Sequence, residues 1–392
     1  MNPSGARRTE RDQENIRGRH GMPPTKRKSS DERGGGGGGA KRPALQCTSN
    51  KQHLYLLLDD WERGYSVRRL DVDAFEPDDA GADDDLPPER FTEPPVARIE
   101  AEAAEYASER NFVSHGAKIF AMQPGEASPA IPAFDASTLA LSLCPWPFSY
   151  RQYGLPSFAS AAGKLLAFTD TDAVYLGDQP PCGSKAPWSW AAIEARSPFY
   201  ASQVTCYALH PDGRTLFVSA ASLRSHRSGT FSLDAERLEW RRHGDWLLPF
   251  SGQAYFDAEL EAWVGLCGEM GSPGHLCSCD VAPIAAEFTR PPSWKIGKEK
   301  LFRKNPELHL GAKLVYMGRS KFCLVEFLFQ KDDDDHPRSD QPRRRVLDMT
   351  TFGLKYSKEG KLQTTLQRSR ACKMNKRPQD YGGSLIPLAF WL

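Results

Sequence analysis

The feature that most constrains the fold is a unit of four short apolar segments that recurs along the sequence. Residues 204–246 show it most clearly, and their predicted strands are Val204–Leu209, Thr215–Ser219, Thr230–Leu233 and Leu238–Arg241. The first turn between them, His210–Gly213, carries Pro and Gly where a chain reversal needs them. A single small sheet of four strands cannot bury its apolar faces alone. The unit therefore predicts a domain built from several stacked sheets.

Related units occur on both sides of this one, and an apolar–Asp–apolar triplet marks the third strand in most of them. The triplets are centred on Asp71, Asp135, Asp234, Asp280 and Asp348, and the remaining unit carries Asp178 one place late. The markers recur about every 40 to 70 residues, a spacing that suits β-propeller blades with loops of variable length. The sequence thus predicts an all-β fold, a six-bladed β-propeller.

The first unit is one strand short. Its segments His53–Leu58, Tyr65–Asp73 and Val96–Glu102 correspond to strands two, three and four of the other units. An apolar run without a unit of its own, Ser384–Leu392, lies at the other end of the sequence. We predict that this C-terminal strand completes the first blade and closes the ring, because closure removes the exposed strand edges.

Residues 1–50 differ from the remaining sequence. They contain 11 Lys and Arg against 5 Asp and Glu, few aliphatic residues and the run Gly34–Gly39. Such a segment cannot bury enough apolar surface to offset its chain entropy. We expect a disordered basic tail over 1–50 and the propeller domain over 52–392. Lys26, Arg27 and Lys28 resemble a nuclear import signal, and the alternative is a solvated basic linker.

The composition argues against several classes of protein. The formal net charge is only +1, which argues against nucleic acid as a partner. No apolar run reaches the roughly 18 residues of a membrane-spanning helix, and no signal-peptide core is present. The nine cysteines show no paired framework and fall mostly within predicted strands. We expect a monomeric intracellular protein of the cytoplasm, the nucleus or both, with no membrane association.

The sequence offers little catalytic or metal-binding chemistry. Cys267, His275, Cys277 and Cys279 are the densest group of soft ligands, but Cys277 and Cys279 alternate along one predicted strand and so face its core side. No nucleophile elbow, phosphate-binding glycine loop or histidine metal motif is present. We therefore predict no catalytic residue, no cofactor and no metal. The six marker aspartates are interpreted as turn residues that bond to the local backbone.

Surface loops remain as the candidate site. In an antiparallel four-stranded blade, the loops between strands two and three and those between blades emerge on the same face. In this sequence such loops combine aromatic and arginine residues, which protein interfaces favour. The predicted partner-binding residues are Tyr150, Arg224, Arg227, Arg343, Arg344 and Arg345. For Trp146, Trp246 and Phe250, a role in binding and a role as wedges between blades both stay open.

The predicted units resemble kelch-type propeller blades. More narrowly, phrases such as CYALHPDGRTLFVS, FSLDAERLEW, HGDWLLPF and TTFGLKY resemble a kelch-like family of unknown function that is expanded in rice and other grasses. The resemblance covers about residues 52–392 and implies a propeller, but no activity or site residue. Kelch-like plant proteins often bind substrates for F-box ubiquitin ligases, and kelch-type oxidases hold copper through Tyr, His and Cys. No matching copper set is found.

We therefore predict a non-enzymatic protein-interaction module whose propeller face binds a protein partner, in regulation or in ubiquitin-linked adaptor complexes. The alternative is a propeller enzyme whose active site is assembled from several blades and leaves no linear motif. Titratable side chains that converge at one mouth of the central channel would favour the enzyme.

Overall fold

A computed structural model gives the structure of the protein. It describes residues 51–61, 63–77, 88–100, 112–122, 130–147, 157–170, 172–177, 179–180, 188–222, 228–285, 290–302, 306–330, 344–374 and 386–392. The chain divides into two units, Met1–Ser49 and Asn50–Leu392, and every described residue lies in the second. The predictions for residues 1–50, including the import signal at Lys26–Lys28, lie outside the described residues.

The described chain is built from short β-strands with a few 3-10 turns. The strands before residue 200 are β1 (Leu54–Trp61), β2 (Gly64–Leu70), β3 (Glu76–Pro77), β4 (Ala97–Glu100), β5 (Phe112–His115), β6 (Lys118–Ala121), β7 (Ile131–Asp135), β8 (Ala140–Cys144), β9 (Ser157–Ala161), β10 (Lys164–Phe168), β11 (Ala173–Leu176) and β12 (Trp190–Ile193). The later strands are β13 (Val204–Leu209), β14 (Thr215–Ala220), β15 (Gly229–Asp234), β16 (Glu239–Gly244), β17 (Phe250–Asp257), β18 (Ala262–Cys267), β19 (His275–Asp280), β20 (Trp294–Lys300), β21 (His309–Gly318), β22 (Lys321–Phe329), β23 (Arg345–Tyr356), β24 (Leu362–Lys373) and β25 (Leu388–Trp391).

Consecutive strands pair as antiparallel meanders of four. These meanders are β5–β8, β9–β12, β13–β16, β17–β20 and β21–β24. The predicted unit at 204–246 is the meander β13–β16, with its strand limits within two or three residues of those predicted. The all-β architecture of small antiparallel sheets is confirmed. Two additions were not predicted: β3 pairs with the outer edge of β24, and β13 pairs in parallel with β17.

The first sheet takes a strand from the C-terminal segment. Its order is β25-β1-β2-β4, and β25 pairs antiparallel with β1 from Leu54 opposite Trp391 to Leu57 opposite Leu388. Leu388, Ala389 and Phe390 are all buried. The C-terminal apolar run thus fills the position of the missing first strand.

Buried apolar side chains of the described residues fall into six clusters. Four of them pack two neighbouring meanders together, and the other two pack the first sheet against a meander. One cluster joins the first sheet to the last meander: it contains Leu56 and Leu58 of β1 with Val325 of β22 and Leu347 of β23. Burying a side chain of this size stabilises the fold by about 1.5 to 3 kcal/mol. The first and last sheets are therefore held together by the same kind of packing as sheets adjacent in sequence.

Among the described residues, no helix has the length and apolar character needed to cross a bilayer.

Candidate functional site

Three of the marker aspartates bond to nearby backbone N–H groups. Asp135 Oδ1 accepts hydrogen bonds from the backbone of Ser137 at 2.9 Å and of Thr138 at 3.2 Å. Asp234 Oδ1 accepts in the same way from the two residues that follow Ala235, and Asp71 Oδ1 accepts from the N–H of Asp73. This geometry suits the turn role that the sequence suggested for them.

The other marker aspartates differ. Asp280 ends β19 and is exposed, and Asp178 lies outside the described residues. Asp348 contradicts the predicted turn role. It lies within β23, is buried and pairs directly with Glu326 of β22. An Asp between two apolar residues fits a turn or a strand equally, and the triplet alone does not separate the two.

Sequence reasoning missed Asp257, which is completely buried at the end of β17. Its Oδ1 accepts from the N–H groups of Glu259 and Leu260, as in the marker turns. It also accepts from Ser320 of the next meander, through the N–H at 2.8 Å and the hydroxyl at 2.7 Å. Burial raises the pKa of this carboxyl, but the hydrogen bonds, first among them those from Ser320 and Leu260, outweigh it and lower the pKa overall. Asp257 therefore joins two meanders as an ionised carboxylate.

The structure describes two of the six predicted partner-binding residues, Arg344 and Arg345. Tyr150, Arg224, Arg227 and Arg343 lie outside the described residues, and Arg344 is exposed. Arg345 contradicts the prediction: its side chain is only 2% exposed, its Nη2 lies 2.9 Å from Asp59 Oδ2, and its guanidinium lies over the Phe327 ring. A guanidinium held in this way is not available to a partner. Arg345 links the last meander to β1 instead.

A surface that sequence reasoning did not identify lies at the end of β1. Trp61 closes the hairpin to β2 opposite Gly64, whose φ of 149° is open mainly to glycine. The guanidinium carbons of Arg63 and Arg98 lie 5.8 Å and 5.3 Å from the centre of the Trp61 ring. Arg63 also contacts the carboxylate of Glu100. Trp61, Arg63, Arg98 and Glu100 are called the Trp61 surface below.

The position of the Trp61 surface follows from the strand pairing. The register between β1 and β2 shifts between Leu58 and Trp61, and such a bulge changes which face a side chain occupies. Leu56 and Leu58 point into the core, whereas Trp61 is only half-buried. Arg98 and Glu100 come from β4. Because Gly64 pairs with Glu100, β4 ends beside this hairpin, at the same end of the sheet. The signal in the sequence was a Trp beside charged residues and Gly in a predicted turn between strands two and three.

A cavity of about 340 Å³ is lined by the first strand of every meander and by β25. Each of the six strands contributes one or more side chains; representative residues are Ser114, Ser160, Tyr207, Gln253, Lys313 and Phe390. We call this space the first-strand cavity. Its wall is closed between β13 and β17 by their parallel pairing, which a bulge around Gly252 (φ 74°) permits.

Hydrogen bonds fix several polar side chains of the first-strand cavity. The hydroxyls of Tyr207 and Tyr255 lie 3.1 Å and 3.3 Å from Gln253 Oε1, and Tyr255 also donates to the carbonyl of Leu314 at 3.1 Å. Burial, together with a hydrogen bond to Asp257, raises the pKa of Tyr316 to about 12. The Tyr316 phenol therefore stays neutral near pH 7 and acts as a hydrogen-bonding group.

The cysteines near His275 pack as core residues. Cys267, Cys277 and Cys279 are buried, and burial raises the pKa of the Cys277 thiol. His275 Nδ1 lies 3.1 Å from the carbonyl oxygen of Gly297. Within the described ranges, His, Cys, Asp and Glu side chains form no group that could hold a metal ion.

Comparison with known proteins places the chain in a family. Residues 51–373 match the family described as a protein of unknown function (DUF1668). The chain belongs to the DUF1668 family. The match runs from before β1 to the end of β24 and leaves out only β25 of the described strands. It agrees with the expectation of a family of unknown function, while the likeness to kelch blades remains a prediction. No curated protein matches this DUF1668 chain at a significant level.

Solved structures share only a distant likeness with the DUF1668 chain. Hydrazine synthase of Kuenenia stuttgartiensis is 11% identical with a TM-score of 0.34, over 64% of this chain and 63% of that one. The DUF1668 chain thus spans less than two thirds of that relative's length. A DUF4221 member from Bacteroides vulgatus is 10% identical with a TM-score of 0.32, over 67% and 83% of the two chains. A hypothetical selenium-binding protein from Sulfolobus tokodaii is 8% identical with a TM-score of 0.34, over 86% and 97%.

Proposed function

We propose that this DUF1668 protein is a non-enzymatic protein-interaction module and that the Trp61 surface is part of its binding face. The observation that carries the proposal is that the guanidinium carbons of Arg63 and Arg98 both lie within 6 Å of the centre of the Trp61 ring, at a strand-two to strand-three turn. Trp and Arg are the residue types most often found as binding hot spots. Contact between the Trp61 ring and the two guanidinium groups holds these side chains in place before a partner arrives, which lowers the entropy cost of binding.

The proposed partner presents carboxylates to this face. Arg63 and Arg98 are exposed, and the side chain of Arg63 is 71% exposed although it contacts Glu100. Arg344 adds a third exposed arginine: its neighbour Arg345 contacts Asp59, two residues before Trp61. Planar guanidinium groups bind carboxylates through paired hydrogen bonds. An acidic segment with one apolar residue against Trp61 fits this arrangement.

The architecture behind this proposal is a closed ring of six kelch-like blades. The apolar cluster between β1 and β22–β23 supports closure, since it joins the first and last sheets as the other clusters join neighbours in sequence. The first-strand cavity supports it too, because a ring places the first strand of every blade around one central space. In such a ring the Trp61 surface lies on the face to which the sequence assigns the loops with Arg224, Arg227 and Arg343. A partner-binding face of this kind suits the role of an adaptor, for example in ubiquitin-linked complexes.

Affinity purification of the full-length chain tests the proposal. Wild type is compared with the variants Trp61→Ala and Arg98→Glu. The control variant is Arg237→Glu, which reverses the charge of an exposed side chain in the turn between β15 and β16. We expect Trp61→Ala and Arg98→Glu to lose the same acidic partner while their melting temperatures stay within a few degrees of wild type. The control variant should retain that partner. Retention of every partner by all three variants would rule out the Trp61 surface.

A further inference from the structure

The lining of the first-strand cavity includes a carboxamide whose oxygen faces two phenols. Gln253 of β17 is the direct neighbour of Tyr207 in the parallel pairing of β13 with β17. The Tyr207 hydroxyl donates to Gln253 Oε1 at 3.1 Å. The Tyr255 hydroxyl lies 3.3 Å from the same oxygen and shares its proton with the carbonyl of Leu314. The N–H₂ group of Gln253 makes no hydrogen bond to another described residue, so it is the part of the carboxamide that is open to a ligand.

The other lining residues offer neutral hydroxyls and apolar side chains. The hydroxyls of Ser114 and Ser251, from β5 and β17, make no hydrogen bond to another residue in the described part of the chain. Lys313 also lines the cavity, but it is engaged with the protein itself, and its Nζ lies 4.5 Å from the centre of the Phe390 ring. None of the described lining residues is Asp or Glu. The apolar side chains of the lining include Phe112, Phe158, Leu266 and Phe390.

We propose that the first-strand cavity binds a small neutral carbonyl compound with an aromatic or aliphatic body. The Gln253 N–H₂ group donates to the carbonyl oxygen of the ligand, and the apolar lining contacts its body. A neutral ligand is favoured because no charged side chain of the described lining is open to it, and a charge that leaves water without a partner is costly. A hydrocarbon is disfavoured because it would leave the N–H₂ group without an acceptor.

The size of the cavity agrees with such a ligand. Its volume of about 340 Å³ lies within the usual range of small-molecule sites, about 300 to 1,000 Å³. These sites commonly combine an apolar lining with a few placed polar groups. Because the phenols hold the Gln253 oxygen before a ligand arrives, ordering of this side chain costs little on binding. The site is separate from the Trp61 surface, and either can exist without the other.

Ligand-observed NMR on the full-length chain tests the proposal with probes of similar shape. Acetophenone carries a carbonyl group, ethylbenzene lacks it, and benzoate carries a negative charge. The variants are Gln253→Leu, which removes the carboxamide, and Gln253→Glu, which keeps its shape and an acceptor for Tyr207 but has no N–H₂ group. Gln363→Leu on β24, outside the cavity lining, is the matched control. Melting curves show which variants fold, and the comparison of the probes on wild type needs no variant.

We expect wild type and Gln363→Leu to bind acetophenone equally, and to bind it more tightly than ethylbenzene or benzoate. Both Gln253 variants should bind acetophenone about twofold to tenfold more weakly, the usual effect of losing one neutral hydrogen bond. Gln253→Leu should bind ethylbenzene at least as well as wild type does. The proposal is overturned if wild type shows no acetophenone binding at millimolar concentration or prefers benzoate or ethylbenzene. Equal acetophenone affinity in wild type and a folded Gln253 variant would also overturn it.

Discussion

Asp257 and Ser320 connect two neighbouring meanders through two hydrogen bonds, from the Ser320 N–H at 2.8 Å and from its hydroxyl at 2.7 Å. Asp257 belongs to β17, and Ser320 lies in the hairpin between β21 and β22. Both residues are buried. The same carboxylate holds its own turn through the N–H of Leu260. One side chain thus fixes a local turn and the contact between two sheets.

Replacing this carboxylate should cost more than replacing a marker aspartate on the surface. Asp257→Ala leaves buried N–H groups of Leu260 and Ser320 without an acceptor, so we expect a loss of about 3 kcal/mol in the free energy of unfolding. Asp234→Ala should lose about 1 kcal/mol, and the exposed Asp280→Ala about 0.5 kcal/mol or less. Urea unfolding measures all three. Equal values for Asp257 and Asp280 would contradict the connecting role.

The same residue predicts a pH dependence. The pKa of Asp257 is lower in the folded chain than its ordinary value of 3.8. A carboxyl with a lowered folded pKa stabilises the fold above its unfolded pKa, and this stability is lost as the pH falls through the folded pKa. The difference in unfolding free energy between wild type and Asp257→Asn should therefore be constant near neutral pH and shrink below about pH 4. A difference that grows on acidification would refute the assignment of Asp257 as an ionised group.

Replacing Arg345 should lower stability, whereas replacing its neighbour Arg344 should weaken partner binding. Arg345→Ala removes a buried guanidinium and leaves Asp59 without this ion pair, so we expect a loss of about 2 kcal/mol or more in stability. Arg344→Ala, one residue earlier and exposed, should change stability by about 0.5 kcal/mol or less. In partner capture the order reverses, because only Arg344 is available on the surface. Chemical denaturation and capture experiments on the same two variants check both halves of this prediction.

The C-terminal strand should be required for cooperative folding. Deleting residues 386–392 removes β25, exposes the edge of β1 and uncovers Tyr55 and Leu57. We expect the deletion variant to lose its sharp melting transition. Leu388→Ala alone should cost about 2 to 3 kcal/mol, whereas the 88% exposed Leu366 should tolerate Ala almost without effect. A deletion variant that melts cooperatively at the wild-type temperature would disprove the role of β25.

The repeated pattern was enough to predict the strands but not the contacts made by charged residues. Residues 204–209 became β13 as predicted, because β-rich runs and Pro-Gly turns act over a few neighbouring residues. Arg345 resembled its exposed neighbour Arg344, and nothing nearby in sequence reveals its partner Asp59, which lies 286 positions away. Burial of a long polar side chain depends on such distant partners.

The contacts of the Trp61 surface and of the first-strand cavity also depend on residues that are distant in sequence. The turn at Trp61 was visible in the sequence, but Arg98 reaches that ring only because β4 pairs with β2, and the pairing of Gly64 with Glu100 sets the register. The parallel pairing of β13 with β17 was also hidden, since it depends on a bulge around Gly252. Register and bulges are set by the packed sheet, so a single sequence predicts them poorly.

The most direct test of the interaction module is the affinity of the captured acidic partner, once purified, for wild type and three variants. Titration calorimetry compares Trp61→Ala, the double variant Arg224→Glu with Arg227→Glu, and the control Arg237→Glu. If one face binds the partner, Trp61→Ala and the double variant should each weaken binding by about tenfold or more, as hot-spot residues do, and the control should match wild type. Affinities that are equal across all four proteins would contradict the account.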